Sequence, residues 1–258
     1  MKRVITAVVL IPPVLYLIFA APSAAAVAAV VLVAGLCFHE YAGLLRGYGV
    51  EGVGPAAYAA GLLILLVPNA GTGLIVGIAL AFFALALRRE SVRLILPRAA
   101  LVTFGILYIF GAWRAGIELR YLSPHWLLFA LVINWVGDTA AYYAGRKFGR
   151  RQLAPVLSPK KTWEGAVAST VAAVAFGAAY LSRFGPAVPL WEILALSAAA
   201  SLAGQVGDLA ESAIKRGAGV KDSGRWLPGH GGWLDRLDGC LFSMPVIYLW
   251  VARPWITR

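Results

Sequence analysis

The opening stretch MKRVITAVVLIPPVLYLIFAAPSAAA, residues 1–26, starts with two basic residues, runs through an apolar core and ends in small residues. A secretory signal has the same outline, but it hands over to a soluble mature domain. Here a second apolar run, 24–45, follows at once. The stretch is therefore read as a retained first transmembrane helix, kinked at Pro12-Pro13, which membrane helices tolerate when neighbours satisfy the freed carbonyls.

Outward from it the pattern repeats. Spans need about 20 mainly apolar residues, fewer where the helix tilts or the bilayer thins. Nine runs qualify, at roughly 4–20, 24–45, 55–68, 72–87, 99–117, 124–144, 163–182, 189–207 and 239–253. The composition agrees: 60% hydrophobic, 14% charged and a mean hydropathy of +0.77, against roughly 45–50% apolar in soluble domains. No short alternating segments of a β-barrel occur. The expected fold is all-α: a polytopic integral membrane protein with the N-terminus cytoplasmic.

The net charge of +11 could suggest nucleic acid, but the basic residues are placed otherwise. With the N-terminus inside, all of the 23 lysines and arginines fall on the inner side except Arg114, Arg120, Arg183, Arg253 and Arg258. That is the positive-inside signature, facing an anionic leaflet. Cys37 and Cys240 lie in apolar segments without a His/Cys cluster, so neither a disulfide nor zinc is expected.

The polar chemistry is uneven along the chain. Residues 1–122 read as a transmembrane scaffold, residues 123–258 as the catalytic region. In the first part His39-Glu40 is the exception. Position 43 is Gly, so HExxH fails, and Glu40 is left between a functional role and packing near a helix end. In the second part Asp138, Tyr142 and Gly145 share a helix face, with a helix-to-helix ion pair as the alternative for Asp138. The sequence Leu157-Ser-Pro-Lys-Lys-Thr-Trp-Glu-Gly165 brings Lys160, Lys161 and Thr162 to the start of a helix near Trp163. That arrangement suits a phosphate, or is an ordinary inside-positive loop. GxxxxGK[ST] is absent, which excludes a P-loop.

The densest stretch is 201–239, SLAGQVGDLAESAIKRGAGVKDSGRWLPGHGGWLDRLDG. Asp208 is expected to close a span at its cytoplasmic end. Continued helically, Asp208, Glu211, Ser212 and Lys215 share a face. Pro228-Gly-His-Gly-Gly232 reads as a turn where backbone approaches a ligand closely, and Asp235 and Asp238 share a face at the start of the last helix. Carboxylates gathered at a membrane surface suit Mg²⁺, which takes one or two of them plus phosphate oxygens; a structural ion network is the alternative.

These residues carry a resemblance. The 27-residue pattern Ser212-x-Ile214-Lys215-Arg216-x4-Lys221-Asp222-x-Gly224-x2-Leu227-Pro228-x-His230-Gly231-Gly232-x2-Asp235-Arg236-Leu237-Asp238 resembles the signature of the phosphatidate cytidylyltransferases, or CDP-diacylglycerol synthases. The segment from Gly137-Asp138 through Ser158-Pro-Lys-Lys-Thr-x-Glu-Gly165 resembles the same family. The family usually has an aliphatic residue or Phe where Trp233 stands.

The resemblance implies an enzyme of phospholipid biosynthesis that joins CTP and phosphatidic acid into CDP-diacylglycerol and pyrophosphate with Mg²⁺, a second cation being left open. Its implied partners are these substrates and membrane lipids, with a homodimer open and nucleic acid excluded. Its place is a bacterial-type inner membrane, with the site on the cytoplasmic side. Asp208, Asp235, Asp238, Lys215 and Asp222 are the expected catalytic residues, the metal going to Asp208, Asp235 and Asp238. Substrate contacts are expected from Asp138, Ser158, Lys160, Lys161, Thr162, Glu164, Ser212, Arg216, Lys221, His230, Gly231, Gly232 and Arg236. A CTP-dependent lipid kinase, or a cytidylyltransferase for another anionic lipid, is the alternative. A CDP-alcohol phosphotransferase would want D-G-x2-A-R, but Asp238-Gly239 continues Cys-Leu-Phe-Ser. A transporter would want polar residues near the bilayer midplane.

Overall fold

The computed structural model describes residues 2–68, 71–88, 91–226 and 231–252. His230 and the basic residues Arg89, Arg253 and Arg258 lie outside them.

Every expected span coincides with helix. α1 (Lys2–Phe19) carries Pro12 and Pro13 inside it. α2 (Ser23–Leu44) runs into a 3-10 turn, Leu45–Tyr48, that Gly49 ends at φ 75°. α3 (Pro55–Leu66) starts on a proline, whose missing N–H costs nothing there, and α4 (Thr72–Ala86) follows. α5 (Val92–Ile106), a π-helical stretch (Leu107–Gly111) and α6 (Ala112–Leu122) form one continuous rod, longer at both ends than the expected 99–117. Then come α7 (Pro124–Phe148), α8 (Trp163–Phe184), α9 (Leu190–Gly217) and α10 (Leu234–Val251). Among the described residues five helical segments are long and apolar enough to cross a membrane: Ser23–Tyr48, Val92–Leu122, Pro124–Phe148, Trp163–Phe184 and Leu190–Gly217.

One detail departs from the sequence reading. The all-α expectation has one exception, an antiparallel hairpin of β1 (Gln152–Ala154) and β2 (Ser158–Thr162); Pro155 and Pro159 keep this segment from joining α7 to α8 as helix. α9 runs on past Asp208, as the shared face of Asp208, Glu211, Ser212 and Lys215 requires, and ends at Gly217. It stops where Gly219 takes φ 75° and the Val220 and Gly219 amides bond back to Lys215 and Arg216 carbonyls, a glycine C-cap.

The chain divides into two compact units. One comprises Met1–Leu17, Ala21–Arg114 and Ile214–Arg236; the other comprises Ile18–Ala20, Ala115–Ala213 and Leu237–Arg258. The first is called here the N-terminal unit, although it takes in the polar segment after α9. Its buried centre is aromatic: the Phe38 ring meets Tyr58 at 5.0 Å and Phe110 at 5.2 Å. Gly61 lies against Phe110, and Gly105 against Tyr41. A side chain at either glycine would displace a ring, so the helices approach closely only with glycine there. Tyr41 buries its hydroxyl by donating to the Leu101 carbonyl at 2.8 Å.

In the second unit small residues do the same work. Gly137 faces Ser169, and Gly177 faces Ser197. Asn134, buried on α7, donates to the Ala130 carbonyl and to Ser243 Oγ, both at 2.8 Å. Its Oδ1 rests against Gly204 of α9 and Gly239 of α10, so one amide joins three helices. A buried polar side chain is worth keeping in lipid only when it is paired in this way. Gly204→Val would drive methyl groups into that amide and should cost about 1–3 kcal/mol, as overpacking does. The lowered thermal midpoint of the detergent-solubilised protein measures it, and an unchanged midpoint would show that α9 does not need the close approach.

Candidate active site

Each unit holds one group of the expected residues. In the second unit they line a cavity of about 280 Å³ whose polar lining is Asp138, Tyr142, Lys160, Lys161, Thr162, Ser169, Gln205 and Asp208. α7 supplies Asp138 and Tyr142 one turn apart, β2 supplies the lysines, and α9 supplies Gln205 and Asp208. Lys161 Nζ is paired with Asp208 Oδ2. Thr162 caps α8 by accepting from the Gly165 amide at 3.1 Å, which fixes the turn that carries the lysines. Gly145 and Gly149 leave room for that threonine.

Gln205 was not singled out in the sequence. It donates to Thr170 Oγ1 at 3.0 Å and to the Ala166 carbonyl at 3.3 Å. The available signal was a polar residue one turn before Asp208 inside an apolar span. Two of the expected substrate residues also make contacts within the hairpin region. Glu164 accepts the Arg150 and Arg151 amides at 3.1 and 3.4 Å, which anchors the start of the hairpin, and Ser158 pairs with Ala154 in it.

The same unit concentrates acids. Asp138, Asp208 and Glu211 all act on Asp238 through their charge, and Glu211 is buried. Gly207 admits the Asp238 carbonyl and the Phe242 ring, which draws the start of α10 close to α9. Among the described residues no three Asp, Glu, His or Cys side chains converge as a metal-ligand set. Magnesium needs only one or two protein carboxylates when substrate phosphates complete its shell, and Asp208 at the cavity is a donor of that type. Crowded carboxylates also favour a cation over mutual repulsion.

In the N-terminal unit the centre is Asp235. Its Oδ1 takes Lys215 Nζ at 2.6 Å, and its Oδ2 takes the Gly232 amide at 2.7 Å and the Ser223 amide at 3.0 Å. Gly231, at φ 80°, makes the turn that aims the Gly232 amide. Burial alone would push the Asp235 carboxyl up; the Lys215 ammonium and these amides outweigh it and hold the carboxyl below its usual 3.8. Lys221, Asp222, Arg216 and Arg236 are exposed, Arg216 donating to the Val220 carbonyl at 3.2 Å, while Ser212 sits half-buried on α9. Glu40, whose role the sequence left open, is buried and accepts Ser223 Oγ at 3.0 Å and the Trp233 and Leu234 amides at 3.0 and 2.8 Å.

Long apolar helices and one hairpin thus bring lysines and carboxylates to a single cavity. The profile of the cytidylyltransferase family matches residues 1–253; the chain belongs to this family and is a nucleotidyltransferase and an integral membrane protein. Curated relatives named phosphatidate cytidylyltransferase include that of Staphylococcus aureus (strain COL), 37% identical over 196 residues, covering 73% of this chain and 75% of the relative. The Staphylococcus saprophyticus protein is 40% identical over 149 residues, 58% of this chain and 57% of that one. The Bacillus subtilis protein is 39% identical over 154 residues, with the same coverages. The match thus spans less than two thirds of the last two relatives.

The depressed Asp235 carboxyl carries a pH signature. A group that ionises below its usual value contributes full stability above that value and loses it as pH falls through the folded one. The difference in thermal midpoint between the wild type and Asp235→Asn should therefore hold steady from pH 7 to about 5 and shrink below about 4. A difference that widens in acid would rule out the Lys215 pairing as its source.

Proposed function

We propose that the protein makes CDP-diacylglycerol and pyrophosphate from phosphatidic acid and CTP, at the cytoplasmic face of a bacterial-type inner membrane. The relatives' names support the reaction. The observation that carries the reading is the cavity of about 280 Å³ that Lys160 and Lys161 share with Asp138 and Asp208. The inner-side concentration of basic residues supports the face, since CTP is soluble and the lipid phosphate lies at the leaflet surface.

The reaction forms one P–O bond and breaks another. A phosphatidate oxygen attacks the α-phosphorus of CTP, and the α–β bridging oxygen leaves with pyrophosphate. An ionised lipid phosphate is already nucleophilic, so the protein's contribution is alignment and charge stabilisation. Lys161, paired with Asp208 in this structure, exchanges that carboxylate for a phosphate oxygen when substrate enters, and Lys160 lies beside it in β2. Thr162 and the dipole of α8 add donors at the same end. Asp208 and Asp238 would hold Mg²⁺, which when bound neutralises phosphate charge.

Asp235 divides the sequence reading from the geometry. Its side chain is 6% exposed, with both oxygens engaged, whereas Asp208 is 30% exposed and lines the cavity. We therefore give the metal to Asp208, keep Asp238 as its expected second carboxylate, and give Asp235 the task of holding Lys215 and the residues around it.

Two measurements test this. With Mg²⁺ and phosphatidic acid, CTP labelled at the α-phosphate should yield labelled lipid, and CTP labelled at the γ-phosphate should not; γ-label in lipid would instead mean a CTP-dependent kinase. Asp208→Asn should lower turnover about 10²–10³-fold, the range seen when one transition-state contact is lost, and should raise the Mg²⁺ concentration for half-activity. Asp235→Asn should lower turnover without moving that concentration. If it moves several-fold, Asp235 is a metal ligand after all.

A further inference from the structure

Glu40 comes from α2, in the part of the chain that reads as scaffold, yet both of its oxygens are turned to the polar segment after α9. Oε1 accepts the Trp233 amide; Oε2 accepts the Leu234 amide and the Ser223 hydroxyl. Ser223 is shared, because its amide donates to Asp235. A chain of contacts thus runs from Glu40 through Ser223 and Asp235 to Lys215. Gly224 and Gly232 both lie against the Glu40 carboxylate, where a side chain at either would collide with it. His39, beside Glu40, and Tyr48 in the 3-10 turn add two more contacts. Tyr48 donates to the Ile214 carbonyl at 3.0 Å, and the His39 ring meets the Trp226 ring edge-on at 6.5 Å.

We propose that Glu40 is a positioning residue for nucleotidyl transfer, its carboxylate holding Ser223, Trp233 and Leu234 in the register that keeps Asp235 on Lys215. The proposal rests on the cytidylyltransferase reading. Only a carboxylate serves, because the three groups facing it all donate. A glutamine amide would turn N–H groups toward N–H or O–H donors and leave a buried amide unpaired, which is costly. The anion also sits at the N-terminus of α10, where the helix dipole favours it.

The test uses Glu40→Gln, Ser223→Ala and the double variant of the full chain. Label transfer from CTP is read with and without saturating substrates, and hydrogen exchange of segment 221–234 is read with no substrate present. Glu40→Gln should lower kcat about 10- to 100-fold, the cost of a small misplacement, while KM for CTP and for phosphatidic acid stays within about twofold. Exchange at Trp233 and Leu234 should speed up, and the double variant should lose no more than Glu40→Gln alone. Faster exchange with unchanged kcat would make Glu40 purely structural and overturn the proposal, as would additive losses. Should Glu40→Gln fail to fold, Ser223→Ala decides: a loss of about three- to tenfold in kcat is expected for one misplaced contact, and wild-type kcat overturns the proposal. A wild type that transfers no label removes the cytidylyltransferase reading and this proposal together.

Discussion

Within the N-terminal unit the polar segment between α9 and α10 depends on one buried carboxylate. Glu40 satisfies a hydroxyl and two backbone amides at a place where water does not replace them. Those amides belong to the start of α10, where a helix has donors without intrahelical partners. A loop rich in glycine costs much conformational entropy to order. Here that cost is offset by donors converging on two acids, Glu40 on one side and Asp235 on the other. The glycines that make the loop expensive, Gly224 and Gly232, are also those that let the Glu40 carboxylate approach.

The second unit solves a different problem: keeping acids close together in a largely apolar setting. Asp208, Asp138 and Glu211 raise the electrostatic cost of Asp238, and Lys161 offsets part of it through its ion pair with Asp208. Such a pair contributes little to stability when half-exposed. Its value lies in being exchangeable, since phosphate and a cation can take the two partners separately. Asn134 and the glycines around it keep α7, α9 and α10 close enough for the acids to feel one another.

Ile214–Arg236 packs with the N-terminal helices, and residues of α2 and the 3-10 turn reach it at Ile214, Ser223, Trp226, Trp233 and Leu234. No periodicity announces this, because Glu40 is one acid near a helix end. Its three partners lie more than 180 residues away along the chain.

Most of the helices were legible because a bilayer leaves few choices: a run of apolar residues must satisfy its backbone internally. The family signature was legible because its spacing is local, from Ser212 to Asp238. So was the helix that carries Asp208 and Lys215 on one face, although its true end at Gly217 awaited the αL glycine at 219. The hairpin of Gln152–Thr162, the turning of Glu164 to the Arg150 and Arg151 amides, and the place of Gln205 were not legible, since each depends on what lies opposite. Sequence by itself determined a helical membrane protein and the residue types of its chemistry, because solvent and local spacing dictate both. Tertiary structure alone decided which acid meets which lysine and which amide, because hydrogen bonds and ion pairs are settled by distances between segments far apart in the chain.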